Sequence, residues 1–277
     1  MINNYEAEMA IKLHKQNLLK KGYKEENILG IFVYGSQNYN LDTEDSDWDT
    51  KAIIVPSFRD LVLEDTVSEQ IEIYNIHNGI YCCDKDSTGE HCEVKDIREM
   101  VHMFKKQNIN FIEILFTEYK WINPIYRDVW KKYFEDNREK IAHYDMYKTL
   151  ESICGQSLHT IKQNPTNGKK IANAYRLYIF LMKYIKEKPY KECITLNGDI
   201  REFLLDLKKS KEELDIIHSE LLTNLFNTLK YGKQGFDLKN KLINTIVEEE
   251  MNKGILELMK INLPKEEEKI IDFLKKL

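Results

Sequence analysis

The chain has 277 residues, of which 42% are hydrophobic and 31% charged, with only 11 glycines and 5 prolines. That profile excludes collagen-like and broadly disordered chains, and no apolar run approaches the roughly 18 to 20 residues of a membrane helix. The net charge of -5 is unevenly spread: residues 1–122 carry 13 Lys/Arg against 22 Asp/Glu, while residues 123–277 carry 28 against 24.

The opening segment places Glu6, Glu8 and Lys12 where a signal peptide needs an apolar stretch, and five cysteines form no disulfide framework. A soluble, cytoplasmic protein with no membrane partner is expected. Composition carries no information on oligomeric state.

The first predicted element is a helix from Tyr5 to about Lys21, with spaced apolar residues at Met9, Leu13 and Leu18. Ile28–Ser36 (ILGIFVYGS) is short, apolar and partly β-branched, and it ends in Gly-Ser. It reads as a buried strand entering a tight turn. After a polar stretch, Trp48–Val55 reads as a second strand stopped by Pro56, and SFRDLVL as a short helix. Val67–Ile76 is a third strand, turned back by HNG into IYCC, with a further short strand over His91–Lys95. DIREMVHMFKKQ and NFIEILFT are helical, with Asp96 a candidate N-cap.

From Pro124 the patterning turns helical: Ile125–Lys140, Tyr144–Lys162, Gly168–Lys186, Ile200–Lys208, Lys211–Tyr231, Lys239–Met259 and Glu266–Leu277. The expected class is α+β, with a mixed sheet and flanking helices over residues 1–122 and an all-helical unit over residues 123–277.

The chemistry concentrates in IFVYGSQNYNLDTEDSDWDTKAIIV. Gly35-Ser36 ends the first strand, ten residues intervene, and Asp47-Trp48-Asp49 opens the next. Residues two apart in a strand share a face, so the two carboxylates point one way and Trp48 the other. Such carboxylates repel unless a proton or a cation comes between them. Hard oxygen ligands suit Mg²⁺ or Mn²⁺, which also take phosphate oxygens. Gly35 permits close backbone approach, and exposed N–H groups with the Ser36 hydroxyl can cradle a phosphate. A third carboxylate flanked by apolar residues is found at Glu93, between Cys92 and Val94. Glu90 and Asp96 are its rivals, although Asp96 reads better as a cap. A shifted register, Asp45-x-Asp47, would use a residue that reads as turn.

Gly35-Ser36 followed at this spacing by Asp47-x-Asp49 resembles the signature of the DNA polymerase β superfamily of nucleotidyltransferases. SDWD with EVKDIREM, NINFIEILFT and KKIANAYRLY resembles more closely the YcgL-type members. The resemblance implies a mixed-sheet catalytic domain backed by a helical one. It also implies transfer of a nucleoside monophosphate from an NTP to an acceptor hydroxyl, on an RNA 3′ end, a protein or a small molecule, with pyrophosphate leaving. By motif, Gly35 and Ser36 would hold the triphosphate, and Asp47, Asp49 and Glu93 would hold the metals, with Glu93 the candidate acceptor of the hydroxyl proton. The alternatives are a catalytically silent nucleotide- or RNA-binding protein and an aminoglycoside-type adenylyltransferase. The last would need an acidic pocket.

Residues 162–191 hold eight basic residues against one acid. Within them Lys169, Asn173 and Arg176 form one helix stripe. It is read either as a solvated face or as a wall for triphosphate or polynucleotide, and the resemblance points to Lys170 and Arg176. Lys208 is a weaker phosphate candidate that reads better as a surface lysine. Glu113, polar in an apolar helix, is expected to anchor backbone or a basic residue. His77, Cys82, Cys83, His91 and Cys92 lack zinc-site spacing and read as buried thiols and hairpin histidines.

Overall fold

The computed structural model describes residues 4–44, 46–77, 80–81, 87–209, 213–232 and 241–274. Its centre is a five-stranded mixed sheet of β1 (Ile28–Val33), β2 (Thr50–Ile54), β3 (Ser68–Tyr74), β6 (Ser87–Asp96) and β7 (Lys120–Ile122), in the order β3-β6-β2-β1-β7. The short β4 (Ile76–His77) and β5 (Ile80–Tyr81) pair separately. Only β2 and β6 run parallel, with Lys51 opposite Glu93.

β1 and β2 are buried along their whole length, as strands covered on both faces must be. On one face Ile28, Ile31, Val33, Ala52 and Ile54 pack against Ile11 and Leu18 of α1 (Asn4–Lys20). On the other, Leu29, Phe32 and Ile53 join a cluster that continues through Trp130 and Leu177 to Leu258.

The second strand starts at Thr50, two residues later than its sequence pattern predicts. The reason is the ladder itself: β1 ends at Val33 and turns at Gly35, so the Tyr34 N–H to Asp49 carbonyl bond is the last pairing (3.1 Å). The short helices α2 (Ser36–Tyr39) and α3 (Phe58–Val62) follow their strands, and Ser57 and Asp60 close a capping box on α3. α4 (Ile97–Lys105) is capped by Asp96, whose carboxylate accepts the Arg98 N–H at 2.7 Å, and leads into α5 (Ile109–Ile112).

Beyond β7 lie α6 (Arg127–Trp130), α7 (Arg138–Ala142), α8 (Met146–Gln163), α9 (Gly168–Tyr184), α10 (Tyr190–Ile194), α11 (Gly198–Lys208), α12 (Glu213–Gly232) and α13 (Lys241–Leu274). The predicted helix Ile125–Lys140 is instead α6, a π-turn over Lys131–Glu135 and α7. That wider turn accompanies the stacking of Trp130 on Phe134, with ring centroids 5.0 Å apart. The last two predicted helices are one, α13, which runs through Pro264. Proline keeps a helical φ while lacking the N–H.

α9 and α11 pack side by side next to the turn after β1. Asn40 Nδ2 donates to the Leu196 carbonyl (2.9 Å), Arg201 Nε to Asn40 (2.7 Å) and Lys208 Nζ to Leu41 (2.7 Å). The segment between the Gly-Ser turn and the acids is thereby fastened to the helical region.

Candidate active site

A cleft of about 450 Å³ opens where that segment meets α9 and α11, and it is lined by Ser36, Asp47, Asp49, Lys170, Arg176 and Lys208 among others. Seven residues singled out from sequence, Lys169 and Asn173 included, therefore meet on one cavity, together with Lys208, which the sequence reads first as a surface lysine.

Gly35 adopts φ +94° and ψ -144°, a conformation that favours glycine, and an added Cβ would meet nothing within 4 Å. Its N–H is not free for a phosphate. It donates to Glu113 Oε1 at 3.1 Å, which corrects the expectation of an exposed amide there and meets the expectation of Glu113 as a backbone anchor. The Ser36 hydroxyl donates to Gln37 Oε1 at 3.2 Å, and Gln37 Nε2 donates to the Asp47 carbonyl at 2.8 Å. Gln37 thus ties the turn to the acid segment. Glu113 is fully buried, which pushes its carboxyl up to about 7, while Tyr39, Arg176 and Lys51 pull the other way.

Asp47 and Asp49 both face the cleft. Trp48 points to the opposite layer, edge-on to Tyr119 with ring centroids 6.0 Å apart. Asp47 is exposed and Asp49 half-buried. Burial raises the Asp49 carboxyl above the usual range, opposed by the His91 N–H that it accepts at 3.1 Å. Asp45 lies outside the described residues.

The three candidates for a third carboxylate separate cleanly. Asp96 is spent on its cap and on Arg98, 2.6 Å away. Glu90 lies on the α1 side and bonds His14 Nε2 at 3.0 Å. Glu93 stands on the Asp49 side, with its carboxylate bonded to Lys51 and 3.5 Å from Lys95 Nζ. Cys92 and His91 alternate in β6 and cannot share a metal. Burial pushes the Cys92 thiol up to about 12, leaving it inert. The His77 side chain, Cys82 and Cys83 lie outside the described residues.

The opposite wall is basic. Arg176 is 4% exposed, with its guanidinium 3.8 Å over the Tyr39 ring, and its Nε donates to Asn173 Oδ1 at 3.0 Å. Its Nη1 is buried without a protein partner. The solvated-face reading therefore fails for Arg176. Lys169 and Lys170 are exposed at the rim. Lys208 is half-buried, and burial lowers its pKa, helped by Lys169, Arg176 and Arg201 nearby. Sequence reasoning missed Arg201 and Gln37 and ranked Lys208 first as a surface lysine, because their roles follow from the packing of α11 on α9 and the path of residues 36–42. No local spacing signals either.

No protein-family model matches the chain, and a search of curated proteins finds no similar sequence. The reading of the cleft rests on its own chemistry.

Proposed function

We propose that the cleft is the active site of a metal-dependent nucleotidyltransferase, which moves a nucleoside monophosphate from an NTP to an acceptor hydroxyl. The observation that carries this reading is the buried guanidinium of Arg176, whose Nη1 lacks a protein partner, on the lining of the same cavity as the Asp47–Asp49 pair. A desolvated donor without a partner is costly unless an anion completes it. Two hard carboxylates that make no ion pair among the described residues suit a divalent cation. A polyphosphate chelated to such an ion satisfies both walls at once.

The residues present fit Mg²⁺ or Mn²⁺: Asp47 and Asp49 would hold it, with Glu93 the third candidate on the same side. When bound, the ion would neutralise charge on the α-phosphate and the leaving pyrophosphate. The protein's own part is positioning. Ser36, Lys170, Arg176 and Lys208 would hold phosphate oxygens, and the fastened 40–42 segment would fix the distance between the walls. The acceptor oxygen bonds the α-phosphorus as the bond to the β-phosphate bridging oxygen breaks, and its proton leaves to a carboxylate of the site.

The test pairs binding with transfer. Mn²⁺ and MgATP should raise the melting temperature of the wild-type chain, and each labelled NTP should be offered with RNA, protein and small-molecule hydroxyl acceptors. Asp47→Asn/Asp49→Asn should abolish the ligand-induced shift and reduce transfer by about 100-fold or more. An unchanged shift in that double variant would overturn the assignment. A shift without label on any acceptor would favour the silent binding protein.

A further inference from the structure

We propose that Lys51 is a built-in counter-ion for Glu93, so that the cleft takes one divalent cation, on Asp47 and Asp49, where three free carboxylates would take two. This rests on the metal-dependent reading above and concerns the number and place of the ions.

The parallel register sets Lys51 opposite Glu93, on the side of the sheet that Asp49 occupies two residues earlier. The Lys51 side chain is 2% exposed. Its ammonium lies 3.8 Å from the Tyr34 ring centroid and 4.7 Å from that of Phe111, and it bonds Glu93 Oε2. Lys95 Nζ stands 3.5 Å from Oε1. Both oxygens of Glu93 therefore face ammonium groups.

For Glu93 to chelate an ion through both oxygens it would have to leave a buried ammonium between two rings without its hydrogen-bonded anion. Breaking a buried pair from one side is the costly case, because the stranded charge has no water to return to. The other acid near Lys51, Glu113, gives Oε1 to the Gly35 N–H, and its buried Oε2 has no hydrogen-bond partner, so Glu93 is the carboxylate that Lys51 bonds. Asp47 and Asp49 have no ammonium partner among the described residues, so a cation there displaces nothing.

Mn²⁺ stoichiometry and affinity, by calorimetry and electron paramagnetic resonance on the full chain with and without a non-hydrolysable NTP analogue, test this directly. The wild type should bind one ion, and Asp49→Asn should weaken it by about tenfold or more. Lys51→Met/Glu93→Gln removes the buried pair from both sides, which generally preserves a fold. It should bind one ion within about threefold of the wild-type affinity. Lys51→Met alone keeps the stem between the rings, frees Glu93, and should add a second ion or tighten the first. Two ions in the wild type, or loss of an ion in the double variant, would overturn the proposal while leaving the metal-dependent reading intact. No bound Mn²⁺ in the wild type, with or without nucleotide, would overturn both.

Discussion

On one side of the cleft Asp47 is exposed and Asp49 half-buried, at the point where the sheet ladder runs out. On the other, Arg176 is 4% exposed in the middle of a long helix, held by a ring face and one asparagine oxygen. The carboxylates keep much of their water and make no ion pair among the described residues. The guanidinium has lost its water and still lacks a partner for Nη1. The basic wall is thus organised in advance, whereas the acid wall stays hydrated. Preorganised, desolvated donors contribute the larger share of affinity, because little ordering remains to be done at binding.

The strongest way to disturb this contrast is to change the charge beneath both walls. Glu113 holds the Gly35 turn and lies close to Arg176. Its carboxyl ionises at about 7 in the folded chain against an ordinary 4.5, so between those values the folded form keeps a proton that the unfolded form has lost. Folding stability should therefore fall as pH rises through that window, by on the order of 3 kcal/mol from this group. Glu113→Gln should remove that component, as urea midpoints across the window would reveal. Identical slopes in variant and wild type would dismiss Glu113 as a buried acid.

A smaller effect is expected on the basic wall. Arg176→Met should cost about 2 kcal/mol of NTP affinity, roughly 30-fold, while leaving the unliganded melting temperature unchanged or higher. The second half is the discriminating one, since a purely structural arginine would destabilise the fold when removed. Lys208→Met should have the least consequence, about 1 kcal/mol of NTP affinity, through a looser 40–42 segment. Titration of nucleotide into each variant separates the two. Equal losses would mean that Arg176 enjoys no advantage from its burial.

The sequence made the acid wall legible because its parts lie within one strand–turn–strand unit. Gly35-Ser36, the gap and Asp47-x-Asp49 are local, and the pleat decides that Trp48 faces away. The buried strands were legible too, since their apolar runs are short and bounded by Gly and Pro. Helical spacing displayed Arg176 but not its burial, which depends on Tyr39 arriving from more than a hundred residues earlier. Lys51 shows the same limit: it reads as an ordinary strand residue until the parallel register of β2 and β6 brings Glu93 alongside it. Long-range register and helix-on-helix packing leave no periodic trace.

One further consequence lies in the buried cluster shared by the sheet and the helices. Leu29, Phe32 and Ile53 belong to the same apolar mass as Trp130, Leu177 and Leu258, so on that side the sheet has no finished surface of its own. A hinge between the strands and the helices would have to open that mass to water, at about 25 cal/mol for every Å² of apolar surface exposed. The span between acids and arginine is therefore a fixed dimension of the molecule, and under the proposed reading it is the gauge against which the length of a bound phosphate chain would be measured.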